Sequence, residues 1–155
     1  MTKRRMTVVC LLACAVAAFS IVPLAASGDR GRELVAGVRL DFTSSTHAEG
    51  TFAACCAITD SGTAQADVTS FTPQPNNRAS FEATETLSGS KGTIILALRG
   101  TTGPLDSAVH AARGRWKVVG GTGEYEALRG HGTFTAATDQ TTGALTAINE
   151  GSVRG

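Results

Sequence analysis

The segment Gly114–Gly132 constrains the fold more than any other part of this chain. Its first part, Arg115–Val119, has the character of a β-strand. Glycines follow at positions 120, 121 and 123, and they can take backbone angles that a side chain would forbid. Glu124–Arg129 then has the helix-favouring residues needed for one turn, which Gly130 can end. The segment therefore predicts a strand, a glycine hinge, a single helical turn and a second strand.

The amino terminus predicts export. Lys3, Arg4 and Arg5 precede the apolar run Met6–Ala26, and small residues follow at the positions that a signal peptidase requires. We interpret residues 1–28 as a secretory signal peptide and residues 29–155 as one mature domain, secreted and without a membrane anchor. A retained anchor is the alternative. A lipoprotein signal ending at Cys14 is disfavoured, because the apolar run continues beyond that cysteine.

The charge of the mature chain argues against two classes of partner, and its length indicates a single domain. The full sequence has 14 basic and 13 acidic residues, so loss of the three basic residues in the signal leaves 11 against 13, a net charge of −2. Strong electrostatic binding to nucleic acid or to an anionic membrane is not expected. A chain of this length matches one domain that can bury a core without disulfides or metal.

Side chains alternate between apolar and polar along most of the mature chain, as in strands with one buried face. The strands predicted from this pattern are 34–42, 51–58, 63–71, 81–87, 93–99, 115–119, 131–137 and 144–153, with turns at 59–62, 88–92 and 138–143 and a loop at 73–77. Residues 104–113 also fit one face of a short helix. About eight short strands favour an all-β fold, a single closed antiparallel β-barrel, over a sandwich, because closure removes free edges. Such a barrel fills its interior or holds one small ligand.

The run from Trp116 to Tyr125, followed by Leu128, Arg129 and Gly130, resembles the carboxy-terminal signature of the allene oxide cyclase and dirigent superfamily. The likeness is closest to secreted bacterial proteins with the allene oxide cyclase-like barrel. The resemblance implies an eight-stranded barrel with an apolar lumen, in some members assembled as dimers or trimers. It also implies an activity, cyclisation or stereochemical guidance, that works by holding a reactive substrate in a productive shape. No catalytic residue is transferred, because the matching motif is a structural hinge.

Four side chains, Glu85, Trp116, Tyr125 and Phe81, are candidates for a ligand site in the lumen or at its rim. Glu85 shares a strand face with Phe81, so it is either a lumen carboxylate with a raised pKa or a residue near the rim that stays hydrated or pairs with an arginine, and the rim is favoured. Trp116 either lines a pocket or belongs to the core, and the core is favoured. Tyr125 either offers its phenol to a ligand or caps the end of the barrel. Phe81 is itself a candidate lining residue.

Two further candidates lie on one predicted strand, Phe52 and Cys56. Period-two alternation places both on the apolar face and sends Cys55 to the other side. We expect Cys56 to be buried as a small hydrophobic residue and Cys55 to be partly exposed. A bond between the adjacent cysteines would require distortion, because their Cα atoms are only about 3.8 Å apart. Pairing between molecules is a further alternative.

Metal and nucleotide chemistry lack a supporting motif. His47, His110 and His131 are scattered, and no cysteine pair stands at zinc-site spacing. The Gly-Gly-Thr-Gly run is not followed by Gly-Lys-Ser or Gly-Lys-Thr, and no Gly-x-Ser-x-Gly elbow is present. We therefore expect no metal and no cofactor.

Two functions remain open. The favoured one is a secreted, non-catalytic barrel that binds a small apolar molecule or associates with itself, as a homo-oligomer or at the cell exterior. The alternative is a cyclase or stereochemical guide for a reactive metabolite, an isomerase that works mainly by positioning its substrate. Glu85, Tyr125 and Trp116 are its candidate residues.

Overall fold

Eight antiparallel strands account for most of residues 31–155, the part of the chain that the computed structural model describes. They are β1 (Arg32–Phe42), β2 (His47–Cys56), β3 (Asp60–Gln74), β4 (Arg78–Gly89), β5 (Gly92–Thr102), β6 (Val109–Gly121), β7 (Arg129–Asp139) and β8 (Ala144–Arg154). Each strand pairs with the next, and β8 pairs with β1, which closes the barrel. The predicted fold class is confirmed. The predicted signal peptide, residues 1–28, lies outside the described residues.

The alternation of side chains sorts the strands into an inner and an outer face. On β1, Leu34, Val38 and Leu40 are buried, whereas Arg39 and Asp41 between and beside them are exposed. This is the face that the sequence predicted. Within residues 31–155, no helix is long and apolar enough to cross a membrane.

Three predicted boundaries of the second and third strands are wrong. The strand predicted to reach Ile58 ends at Cys56, and β3 begins at Asp60, inside the predicted turn. The cause is the backbone of Cys56, whose φ of 78° ends the regular strand early. At its other end β3 runs into the predicted loop, because Asn76 and Asn77 adopt left-handed φ values of 61° and 54° and make the reversal in a short turn.

The helical interpretation of residues 104–113 is also wrong. Residues 103–108 form a loop without helix, and β6 begins at Val109. The apolar residues in this segment follow strand periodicity instead: Ala112 packs against the core while Val109 is exposed.

The glycine hinge is confirmed, and its turn is a short 3₁₀ turn, Gly123–Tyr125. Gly123 has a φ of 62°, and a Cβ atom there would collide with the carbonyl oxygen of Lys91. This close approach lets the Glu124 amide donate to that carbonyl at 2.9 Å. The hinge therefore presses the 3₁₀ turn against the turn between β4 and β5, at one end of the barrel.

Candidate functional site

The barrel has one closed end, which is formed by the turns between β2 and β3, between β4 and β5, and between β6 and β7. Tyr125 and Leu128 of the last connection are buried there, 5% and 8% exposed. The Tyr125 hydroxyl donates a hydrogen bond of 2.9 Å to the carboxylate of Asp60 at the start of β3. Tyr125 thus caps the barrel, which is the second of the two alternatives that the sequence left open for it and the commoner one for such an aromatic residue.

Asp60 is the centre of the closed end. Its carboxylate also accepts hydrogen bonds from the Ser61 amide at 2.9 Å, from the Ser90 amide and hydroxyl at 3.1 and 3.0 Å, and from the Lys91 amide at 3.2 Å. Burial opposes ionisation of this carboxyl, but the hydrogen bonds, with that from Tyr125 foremost, outweigh it and hold the Asp60 pKa well below its usual range. Burial and the bond to Asp60 raise the pKa of Tyr125. One carboxylate therefore ties three connections together.

The half of the lumen next to the closed end is filled by side chains. Trp116 is 2% exposed and donates from Nε1 to the carbonyl oxygen of Thr133 at 3.0 Å. Its ring lies so close to Gly132 and Gly151 that a Cβ atom on either glycine would come within 2.6 Å of it. Phe52 is likewise buried, at 4% exposure. Both residues belong to the core, and neither borders the open part of the lumen described next.

The other half of the lumen is a cavity of about 530 Å³. It opens between the loops that join β1 to β2, β5 to β6 and β7 to β8, opposite the closed end. Its walls are apolar and come from seven strands, all except β2; the main wall residues are Leu40, Val68, Phe81, Ala83, Leu98, Ala112, Phe134, Ala136, Leu145 and Ala147. The rings of Phe81 and Phe134 are neighbours in this wall. Their centroids are 6.0 Å apart, and the two ring planes are tilted by 58° to each other. Phe81 is thus placed where the sequence predicted.

Polar side chains gather at the mouth of this cavity. They include Ser44, Thr46, Thr102 and Gln140, together with His110, whose Nε2 lies 2.9 Å from the carbonyl oxygen of Leu105. The mouth is therefore polar and the walls are apolar. Small-molecule sites likewise combine mainly apolar walls with a few polar groups.

Glu85 lies on the inner face of β4 and borders the cavity at the end away from its mouth. It is 3% exposed, and it accepts a hydrogen bond of 2.6 Å from Nδ2 of Asn149 on β8. Because β4 and β8 stand on opposite sides of the barrel, this bond crosses the lumen and forms the floor of the cavity. The alternative of a hydrated rim position is therefore wrong, and the lumen position is confirmed.

The electrostatics of this floor differ from those of the closed end. Burial raises the pKa of Glu85 to about 7, and the bond from Asn149 lowers it only in part. Asn149 is completely buried, and its Oδ1 atom has no hydrogen-bond partner among the described residues. A protonated Glu85 would carry the donor that this oxygen lacks. The floor can thus hold a neutral carboxylic acid or a carboxylate near neutral pH.

One predicted lining residue is not in the lumen. Cys56 is exposed, and Cys55 is the half-buried member of the pair, so the predicted inward position of Cys56 is wrong. The physical reason is again the positive φ of Cys56, which breaks the period-two alternation at the last residue of β2.

A second charged cluster lies on the outside of the mouth. His47 at the start of β2 contacts Glu49 through Nε2 at 3.0 Å and Asp67 of β3 through Nδ1 at 2.6 Å. The hydrogen bonds to Glu49 and Asp67 raise the pKa of His47. Within residues 31–155, no group of three or more His, Cys, Asp or Glu side chains is placed to hold a metal ion.

The outer wall has a broader depression, of about 650 Å³, over β5, β6 and β7. It is bordered by Arg99, Arg113 and Arg115, and its base is the backbone of Gly100 and Gly114. This surface is open to solvent and contains no buried polar side chain. The lumen cavity is therefore the better candidate site.

The sequence interpretation missed most of this site. Leu98, Phe134 and Leu145 could have been included, because each lies on the apolar face of its strand. Asn149 and Asp60 carried no such signal, since a polar residue in a strand or turn is ordinarily assigned to the surface.

Residues 43–146, roughly two thirds of the chain, match the family described as "Protein of unknown function (DUF3224)". The chain belongs to this family. No curated protein and no solved structure matches it. The DUF3224 match begins in the turn after β1 and ends within β8, so it includes Glu85 and all three connections of the closed end. Asn149 lies three residues beyond the match.

Proposed function

We propose that this DUF3224 protein binds a small, mainly apolar molecule in the open half of its lumen. The observation that carries the proposal is the cavity itself: apolar walls, a polar mouth and one buried polar pair at the floor. Ligand sites commonly have volumes of about 300 to 1,000 Å³ and combine apolar walls with a few polar groups that orient the ligand. The volume of about 530 Å³ lies within that range.

The floor indicates what else the ligand carries. Glu85 borders the cavity and can accept a hydrogen bond from a hydroxyl or an amine. Phe81 and Phe134 offer aromatic surface above it. The preferred ligand is therefore an apolar or aromatic molecule with one hydrogen-bond donor at its buried end. Resemblance to allene oxide cyclase-like barrels, which implies an apolar lumen, supports the same proposal, as does the export predicted from the amino terminus.

A fluorescent probe tests this proposal. N-phenyl-1-naphthylamine is neutral, aromatic and carries one N–H donor, and its emission increases in an apolar site. We expect the wild-type protein to bind it at one site. We expect Ala136→Trp, which places an indole in the cavity wall, to weaken binding by at least about tenfold.

Ala53→Trp is the matched control, because Ala53 is exposed on the outer face of β2. It adds the same side chain outside the barrel, so its affinity should equal that of the wild type. Circular dichroism confirms that both variants fold. Equal binding by the two tryptophan variants, or no saturable binding by the wild type, would contradict the proposal.

A second function, a cyclase or stereochemical guide, is favoured by one specific observation. The carboxyl group at the floor has a pKa of about 7, which suits a general acid or base near neutral pH. Glu85 and His110 are the two titratable side chains among the cavity residues of the described chain. An enzyme of this kind would use Glu85 to move a proton and the apolar walls to set the substrate shape.

The two functions differ in what the protein carries when it is purified. Molecules extracted from the wild type and from Glu85→Gln, and analysed by chromatography with mass detection, should be identical if the barrel only binds. For an isomerising enzyme, the variant should instead retain a molecule of the same mass with a different retention time. Identical extracts from the two proteins would count against the enzyme.

A further inference from the structure

Cys55 and Cys56 occupy the last two positions of β2, at the closed end of the barrel and away from the cavity. Adjacent side chains in a regular strand point to opposite faces, which keeps their ends apart. Here the two Sγ atoms lie only 3.1 Å from each other. The φ of 78° at Cys56 is the feature that departs from strand geometry.

A positive φ at a residue other than glycine or asparagine is strained, and strained residues of this kind cluster at functional sites. Glycine or asparagine would take the same conformation more readily. At Cys56 the conformation is held by β1 before and after this residue in the chain. Cys55 and Cys56 pair with Val35 and Leu34, and the Ala57 amide donates to the carbonyl of Glu33 at 2.7 Å. The barrel itself thus imposes a strained backbone on this cysteine.

We propose that Cys55 and Cys56 form a reversible redox site that closes into a disulfide between adjacent residues. The pair holds the only two cysteines of residues 29–155, and Cys56 is exposed to solvent. A low-molecular-weight disulfide such as oxidised glutathione is the oxidant. The Cys56 thiolate attacks one sulfur of that disulfide, forms a mixed disulfide and releases one molecule of reduced thiol.

The Cys55 thiolate then attacks the Cys56 sulfur of the mixed disulfide and releases the second molecule of reduced thiol. In total, two protein thiols lose two protons and two electrons, and one small disulfide becomes two thiols. The sulfur separation of 3.1 Å makes the second attack local, without movement of another strand.

The product is expected to be easily reduced. Disulfides prefer Cα atoms about 4.4 to 6.8 Å apart, whereas neighbouring residues across a trans peptide are about 3.8 Å apart. Strained and exposed disulfides have the more oxidising potentials and serve as labile or regulatory bonds. The bond at the end of β2 would therefore respond to the surrounding thiol pool, and it would contribute no permanent cross-link to the fold.

The test is a titration of the reduced protein with mixtures of reduced and oxidised glutathione, stopped by acid and alkylation and measured by mass spectrometry. We expect a monomer that has lost the mass of two hydrogen atoms and takes up no alkylating reagent. Excess reduced glutathione should reverse this oxidation. Tryptic digestion places both cysteines in one peptide, residues 40–78, so the bond can be located in the wild type without any variant.

Cys55→Ser and Cys56→Ser are matched variants, each with one thiol left. Each should stop at the mixed disulfide and gain the mass of one glutathione, with no loss of two hydrogen atoms. Any of three wild-type results would overturn the proposal: two alkylated cysteines at every glutathione ratio, a disulfide-linked dimer as the main product, or a mixed disulfide that persists.

Discussion

Replacement of Glu85 by glutamine is expected to stabilise the barrel by about 3 kcal/mol at pH values above about 8. Above about pH 8 the folded wild type must bury a carboxylate at this position. This burial is unfavourable, because it raises the pKa of Glu85 from the ordinary value of 4.5 to about 7. Glutamine is neutral at every pH. Its oxygen can accept from Nδ2 of Asn149, and its amide can donate to Oδ1 of Asn149, the buried atom that has no partner among the described residues.

The pH dependence follows from the same shift. Between pH 4.5 and about 7 the folded protein retains the Glu85 proton that the unfolded chain releases, so stability falls as the pH rises through this window. Glu85→Gln should remove this decline. A smaller decline above pH 6.5 should remain, because the raised pKa of His47 contributes stability at low pH that is lost as the imidazole deprotonates.

Urea unfolding at a series of pH values measures both effects. Glu82→Gln is the control: Glu82 lies on the same strand but is 48% exposed, and its contact with Arg99 is at the surface. We expect that variant to differ from the wild type by less than about 0.5 kcal/mol. A Glu85→Gln protein with the pH profile of the wild type would show that the floor carboxyl titrates normally.

Replacement of Asp60 by alanine is expected to destabilise the barrel by about 3 to 5 kcal/mol. The substitution removes an ionised acceptor of five hydrogen bonds from Tyr125, Ser61, Ser90 and Lys91. The buried Tyr125 hydroxyl would be left without its partner. Tyr125→Phe removes one of the five bonds, so its expected cost is smaller, about 1 to 2 kcal/mol.

Asp60→Asn separates charge from shape. It keeps most of the volume and one acceptor oxygen, so its cost should fall between those of the other two variants. Because the Asp60 pKa is lowered in the folded state, its contribution is present above the ordinary value of 3.8 and is lost as the pH falls below it. Wild-type stability should therefore decline in acid, and Asp60→Asn should decline less.

Thermal and urea unfolding, with Asp41→Ala as the control, measure these differences. Asp41 is exposed on the outer face of β1, and its loss should change stability by less than about 0.5 kcal/mol. Comparable stability of Asp60→Ala and Asp41→Ala would show that the closed end does not depend on the buried carboxylate.

The local pattern of the sequence was sufficient for the existence and order of the strands and for the strand face of two site residues, Phe81 and Glu85. Period-two alternation placed Phe81, Glu85 and Leu87 on one face of β4, and the structure has all three inside the barrel. The same rule failed at Cys56, because one positive φ changes the direction of a side chain without any change in the apolar pattern. It also failed at residues 104–113, where apolar spacing fitted two periods equally well.

The sequence by itself determined an all-β chain, eight strands in order and a glycine hinge between β6 and β7, because these depend on near neighbours and on backbone freedom. Only the tertiary structure decided that Glu85 meets Asn149 and that Asp60 meets Tyr125, pairs separated by 64 and 65 residues. Such contacts arise from closure of the barrel, which brings opposite strands and distant turns together across one lumen. The difference between a buried acid with a raised pKa and a buried acid with a lowered one likewise depends on how many donors that closure supplies: one to Glu85 and five to Asp60.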